Sequence, residues 1–242
     1  MKQRNNNLPL NAVALRLLAL ALMLLDHLWA TVAAGDWWMT CAGRLAFPIF
    51  AFQVVEGYYH TSDFKRYLLR LGVFGLLSEL PFNLMVAGGL IFPYHQNVMF
   101  TMLLGLLAVH AMERAVAARD FNGRILCVLQ LLLWILVGAM TFVDYGAYGV
   151  LTVLLFAACR RLPYEKLFQL VGMVAIHVFW MEGMHLPVLG MEFPLQGFAV
   201  LALIPIWLYN GEKGPRNRFV QYGSYLFYPA HMLILGLIGH FF

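Results

Sequence analysis

The 242-residue sequence predicts an all-α polytopic membrane bundle of about nine transmembrane helices, and three observations carry that expectation. The chain is 62% hydrophobic and only 12% charged, where soluble domains are about half apolar and a quarter charged. Apolar runs of about 17–25 residues, the length a bilayer demands, follow one another along the whole chain. The basic residues gather in every second connection. Together these exclude a soluble enzyme, a nucleic-acid-binding module and a disordered tail. No stretch is long and polar enough for a further domain, so residues 1–242 read as a single transmembrane domain. Cys41, Cys127 and Cys159 show no CxxC or metal-ligand spacing. They read as small apolar core residues, and no metal is expected.

The first run covers 9–32. Lys2 and Arg4 precede it and Ala33-Ala34-Gly35 follows, as in a signal peptide. Arg16, Asp26 and His27 lie inside it, however, which a simple apolar leader does not carry, so it reads as an uncleaved first helix. Further runs fall near 42–60, 67–88, 97–113, 125–143, 146–160, 165–182, 194–210 and 219–241. The fifth and sixth meet at a tight turn, Asp144-Tyr145-Gly146, and the run at 194–210 is the weakest. Lys2 and Arg4 precede the first span. Lys65, Arg66 and Arg70 follow the second, and Arg114, Arg119 and Arg124 the fourth. Arg160, Arg161 and Lys166 follow the sixth, and Lys213, Arg216 and Arg218 the eighth. The alternate connections (33–41, 89–96, 143–145 and 183–193) hold no Lys or Arg. The positive-inside rule then puts the N-terminus in the cytoplasm and the C-terminus outside. The net charge of +4 is thus topology and not a nucleic-acid footprint.

Two basic residues, Arg16 and Arg44, stand apart with several acids and histidines inside the spans. A charge at mid-bilayer costs at least about 2.5–3.5 kcal/mol, so such residues pair, face the bundle interior and mark function by default. At about 1.5 Å of rise per residue, Arg16 lies in the inner half of the first helix and Asp26 and His27 in its outer half. By the same arithmetic Arg44, Glu79, Asn97 and His231 fall in the middle-to-outer region, with Thr101 one turn deeper and Glu56 towards the cytoplasmic side. Asp26, His27, Arg44, Glu79, Asn97 and His231 are therefore expected to share one polar pocket fed by five helices. Asp26 and His27 point about 100° apart and cannot pair face-on, so one meets substrate while the other meets a partner. A histidine oriented through its second nitrogen by a carboxylate is the usual general base, with Asp26 or Glu79 as the orienting group here. Arg44 with Glu79 or Asp26 also fits a purely structural pair. His110, His177 and His240 read as donors to neighbouring carbonyls, and His60, His95 and His185 as interface residues.

Arg16 and His27 are eleven residues apart, so they share one helix face about 16–17 Å apart along the axis. A fixed cation on the inner side and a titratable base on the outer side suit an elongated anionic donor. Snorkelling of Arg16 to the headgroups is the alternative. Pro48, Pro81 and Pro229 each follow or precede a candidate residue closely and free a helix carbonyl, which is tolerated at membrane depth where it lines a cavity.

The stretches that hold these residues are LMLLDH (22–27), GRLAFPIFAF (43–52), VEGYY (55–59), KRYLLRL (65–71), SELPFNL (78–84), NVMFT (97–101), Tyr-Gly at 145–146 and 148–149, and YPAH (228–231). Across nearly the whole chain they resemble the TraX family of integral membrane proteins. That resemblance implies an acetyltransferase in the bacterial cytoplasmic membrane, acting in its best-characterised case on the N-terminus of conjugative pilin. The family is similar to membrane acyltransferases that carry Arg/Lys-x10-His in an early helix, which Arg16…His27 reproduces. What the resemblance implies is acetyl transfer from cytoplasmic acetyl-CoA to a pilin-like or small-molecule amine or hydroxyl beyond the membrane. In that scheme Arg16, Lys65, Arg66 and Arg70 meet the donor's phosphates and His27 is the base. Asp26 or Glu79 orients the base, Arg44 or Asn97 steadies the oxyanion, and His231 is a second base or proton carrier. Glu56 holds the second helix or lines the entry, with Thr101 and Tyr228 near the donor. A proton-coupled transporter is the alternative class, since intramembrane acids, histidines and prolines suit it as well, although no inverted repeat is evident.

Overall fold

The computed structural model describes residues 8–188, 190–215 and 218–241. Lys2, Arg4 and Arg216 of the charge pattern lie outside the described residues, as does the side chain of His240. The fold is an all-α bundle of α1 (Ala12–Thr31), α2 (Trp37–Gly43), α3 (Ala46–His60), α4 (Phe64–Ala87), α5 (Val98–Ala117), α6 (Phe121–Met140), α7 (Gly146–Cys159), α8 (Glu165–Val174), α9 (Leu203–Trp207) and α10 (Arg218–Phe241). Five stretches among the described residues are long and apolar enough to cross a bilayer: Ala12–Thr31, Trp37–His60, Phe64–Ala87, Val98–Ala117 and Phe121–Met140. Gly146–Cys159, Leu195–Trp207 and Leu226–Gly239 are shorter apolar helices.

Helix starts follow local chemistry. Asn11, Asp63, Asn97 and Asp120 each accept a first-turn backbone N–H through the side chain, capping α1, α4, α5 and α6. Burial sorts the helices. Leu106, Ala108 and Val109 of α5 pack with Ile49 and Val55 of α3 and with Val150, Val153 and Phe156 of α7 in the central core. By contrast α6 buries only Cys127 and Gly138 and exposes Ile125, Leu129, Leu132 and Leu136, as a helix facing lipid should.

The nine expected runs are all occupied by helix, but three are not continuous α-helices. The run at 42–60 starts earlier, at Trp37, and breaks at Arg44-Leu45. Pro48 consequently falls in the first turn of α3, where its missing N–H needs no partner, whereas Pro81 and Pro229 do lie inside α4 and α10. The run at 165–182 passes from α8 into a π-helical turn, Ala175–Trp180. The run at 194–210 is a 3-10 helix, Leu195–Ala202, leading into α9. The connection at 183–193 is not plain loop. It is an antiparallel hairpin of β1 (His185–Val188) and β2 (Met191–Pro194), turned by Gly190 at φ 80°.

Side-chain contacts gather the basic connections at one end of the bundle. Gln53 of α3 donates to the Ala12 carbonyl at the start of α1 (2.7 Å), and Leu10 bridges to Tyr209. Glu56 pairs with Arg160 and Glu113 with Arg161, joining the ends of α3, α5 and α7. At the opposite end Gln96 bridges to Val143, and His95 lies 3.4 Å from the Asp144 carboxylate.

Two measurements probe this frame. A Cβ on Gly43 would lie 2.4 Å from Asp26 Cβ. Helix propensity alone makes Gly→Ala favourable by about 1 kcal/mol, but overpacking of this kind costs about 1–3 kcal/mol. Gly43→Ala is therefore expected to lower the melting temperature in detergent, and a rise would contradict the close α1–α2 approach. His95 is held above its ordinary pKa near 6.5 by its hydrogen bond to Asp144, against the opposing effect of burial and with a smaller push from Glu79. Its contribution is complete below that ordinary value and is lost as pH rises through the raised folded value. The deficit of His95→Gln in melting temperature should thus be largest on the acid side and shrink towards alkaline pH. A deficit that grows with pH would rule this out.

Candidate active site

Consecutive on α1, Asp26 and His27 leave the helix about 100° apart and reach different neighbours. Asp26 turns to the break between α2 and α3. Its Oδ2 pairs with Arg44 Nη2, and its Oδ1 accepts from the Thr40 hydroxyl at 2.7 Å. The pair is 21% and 16% exposed at Arg44 and Asp26, so it is shielded yet reachable. Arg44 Nη1 reaches Gln196 Oε1 at 3.5 Å, while its Nε is buried without a hydrogen-bond partner among the described residues. Gln196 Nε2 lies 3.4 Å from His177 Nδ1 on the π-helical turn. His177 Nε2 lies 3.1 Å from the Thr152 hydroxyl, which donates to the Tyr148 carbonyl at 2.8 Å. Donors and acceptors therefore run one way from the guanidinium to a backbone carbonyl of α7. His177 is a link in this chain, not the simple carbonyl donor expected.

His27 turns to α10. Its Nδ1 lies 2.7 Å from His231 Nε2, and His231 Nδ1 lies 2.6 Å from the Phe227 carbonyl. The rings of His27 and His231 are 9° from parallel, and Phe227 stacks on His231. A carbonyl can only accept, so His231 Nδ1 carries the proton and its Nε2, when neutral, accepts. His27 Nδ1–H then donates to His231, which leaves His27 Nε2 unprotonated. The expected orienting carboxylate is thus replaced by a second histidine, because Asp26 is engaged by Arg44 and Glu79 is engaged elsewhere.

Glu79 Oε2 accepts from Asn97 Nδ2 (2.5 Å) and from the Asn97 backbone N–H (3.3 Å). Asn97 Nδ2 also donates to the Gly75 carbonyl, and its Oδ1 caps α5 by accepting from Met99 N–H. Thr101 donates to the Asp144 carbonyl. These two side chains hold the start of α5 against its neighbours. Tyr228 is buried and hydrogen-bonds with the Val98 backbone at the same helix start.

Beside this polar layer lies a cavity of about 160 Å³ between α1, α3, α4, α5 and α10. Arg16, Leu20 and Met23 line it at i, i+4 and i+7, the stripe of α1 that His27 continues at i+11. Phe50, Tyr67, Met99, Met102 and Tyr228 complete a mostly apolar wall. Arg16 forms no ion pair among the described residues. Of the other expected donor contacts, Arg70 sits 5.7 Å from the centre of the lining Tyr67 ring. Lys65 and Arg66 are exposed, with Arg66 3.6 Å from Asp63. Glu56 belongs to the ion pair with Arg160 and does not line the cavity. The six residues expected in one pocket instead form three pairs: Asp26 with Arg44, His27 with His231, and Glu79 with Asn97. Thr40 and Gln196 had no signal in the sequence that would single them out, and Asp144 stood out only as part of the turn Asp144-Tyr145-Gly146.

The TraX protein family matches residues 12–239. The probable fimbrial assembly protein FimC, serogroup H1, of Dichelobacter nodosus is 30% identical, with 96% of each chain covered. No solved structure matches the chain. The protein is a multi-pass membrane protein that belongs to the TraX family.

Proposed function

We propose that the protein is a membrane-embedded acetyltransferase that moves acetyl from cytoplasmic acetyl-CoA to an amine or hydroxyl acceptor at the far side of a bacterial cytoplasmic membrane. The observation that carries this reading is the His27–His231 dyad one turn beyond a cavity whose other end holds Arg16. The distribution of Lys and Arg supports a cytoplasmic N-terminus, which puts Arg16 and the exposed Lys65 and Arg70 on the side where acetyl-CoA is made. Acetyl-CoA is an anion with a long, thin arm ending in a thioester. A guanidinium without an ion pair among the described residues at one end and an apolar slot along α1 suit that shape, and Gln53, Tyr67 and Tyr228 offer a few polar contacts for its amides.

His27 Nε2 is the general base for the acceptor. His231 fixes the tautomer and takes up part of the charge when His27 is protonated. The Asp26–Arg44 pair brings a cation close to the reacting carbonyl. The fimbrial assembly role in the name of the Dichelobacter nodosus relative supports a pilin-type polypeptide with a free α-amine as the acceptor class.

The test is incubation of detergent-purified protein with radiolabelled acetyl-CoA and a synthetic pilin-type N-terminal peptide. Label should pass to the peptide, with slow hydrolysis in its absence. His27→Ala should lower kcat by about 10²–10⁴, the range of general-base catalysis. Arg16→Ala should raise the KM for acetyl-CoA with little change in kcat. Full activity in His27→Ala would remove this assignment, and a proton-coupled transporter would neither transfer nor hydrolyse the label.

A further inference from the structure

The turn between α6 and α7 carries a residue that the His27 mechanism leaves without a role. Tyr145 has φ 64°, in the left-handed region that a bulky side chain rarely adopts, and it is followed by Gly146 at φ 49°. Backbone held this way costs free energy and persists only where its surroundings enforce it, which happens mostly at functional sites. Here the surroundings do enforce it. The Tyr145 ring stacks on Phe47 with centroids 3.9 Å apart and planes 10° from parallel. Beneath it, a Cβ on Gly149 would fall 2.8 Å from Tyr145 Cβ and 2.4 Å from Thr101 Cγ2, so only glycine leaves room for the socket.

The socket aims the hydroxyl at the Arg44 cluster. Gln196 lies within polar reach of Tyr145, and the same Gln196 accepts from Arg44 Nη1 at 3.5 Å. Tyr145 and Asp26 both lie within electrostatic reach of Arg44, and Arg44 lies within reach of His27. The Arg44 Nε–H, buried and without a partner among the described residues, is a donor awaiting an acceptor. The other amide donor at this depth, Asn97, is already committed to Glu79, Gly75 and its own helix.

We propose that Tyr145 and Arg44 form the donor pair that receives the thioester carbonyl oxygen in acyl transfer, Tyr145 through its O–H and Arg44 through its Nε–H. This rests on the acetyltransferase reading. The acceptor nitrogen attacks the carbonyl carbon of the acyl-CoA thioester, forming the C–N bond while the C=O π pair moves onto oxygen. Tyr145 and Arg44 hold that oxyanion, and His27 Nε2 takes the proton released by the acceptor. Collapse restores C=O and breaks C–S. The CoA thiolate leaves with the proton from His27, so the products are the acylated acceptor and the free thiol.

Tyr145→Phe keeps the ring, the stacking and the turn and removes only the hydroxyl, so a packing role predicts no kinetic change. The donor role predicts a fall in kcat of about 100-fold or more, with the KM for acetyl-CoA within about twofold and an unchanged melting temperature. Incorporation of 3-fluorotyrosine at 145, a more acidic phenol of nearly the same shape and so a stronger donor, should raise kcat at fixed pH, which a packing role would not. That readout does not depend on Tyr145→Phe folding well. Wild type and His27→Ala are run alongside with radiolabelled acetyl-CoA and the pilin-type peptide. Turnover that His27→Ala abolishes and Tyr145→Phe leaves intact overturns this proposal alone, as does a kcat that 3-fluorotyrosine leaves unchanged. A wild-type chain without turnover overturns the acetyltransferase reading and this proposal with it.

Discussion

The ion pair between Asp26 and Arg44 is the contact on which the rest of the site depends. Either charge alone would cost about 2.5–3.5 kcal/mol at mid-bilayer, and removing one partner of a buried pair is worse than never having built it. The fold therefore bends to make the pair. The helix that would have run unbroken through 42–60 stops at Arg44, and Gly43 lets the α1 backbone come close enough for the guanidinium to reach Asp26. Thr40 occupies the second carboxylate oxygen. With Asp26 satisfied, His27 cannot use it, and the imidazole finds its partner on α10.

The three polar pairs solve the same problem by different means. Asp26 and Arg44 neutralise each other. His27 and His231 need no charge at all, since a neutral dyad anchored on the Phe227 carbonyl satisfies its inner nitrogens. Glu79 has no cationic partner among the described residues. Its carboxylate lies at the start of α5, where the Asn97 side chain and backbone N–H donate and the positive end of the helix dipole points. Because these groups satisfy one another, the cavity below them keeps a mostly apolar wall. Arg16 at its other end is left with no ion-pair partner among the described residues.

Much of this was legible in the sequence, and the reasons are specific. Lipid excludes charge so strongly that Asp26, His27, Arg44, Glu79 and His231 stood out simply by being inside apolar runs, and all five do meet a polar partner. Helical periodicity was equally informative: the i, i+4, i+7 stripe from Arg16 leads along the cavity to His27. Which residues pair was not legible, because helix spacing gives depth and azimuth on one helix but not the packing of one helix on another. Gln196 and Thr40 are neutral and common, so hydropathy is blind to them. The hairpin was hidden by strands of four residues and by Pro187 and Pro194, which read as loop.

Regularity of the backbone carries information that residue type does not. In hydrocarbon, non-helical backbone is tolerated only where protein covers it or where it lines a cavity. Among the described residues, four of the departures from regular α-helix meet in one place: the break at Arg44-Leu45, the left-handed Tyr145, the π-helical turn Ala175–Trp180 and the 3-10 helix Leu195–Ala202. Each contributes one member of a single cluster, respectively Arg44, Tyr145, His177 and Gln196, and hydrogen bonds or electrostatic contacts join all four. Irregular turns scattered through a bundle would reflect local sequence accidents. Four that meet at one guanidinium mean that the backbone has been deformed to deliver side chains to that point. At Tyr145 a bulky residue holds a conformation suited to glycine, so the requirement there is for the side chain and not for the turn.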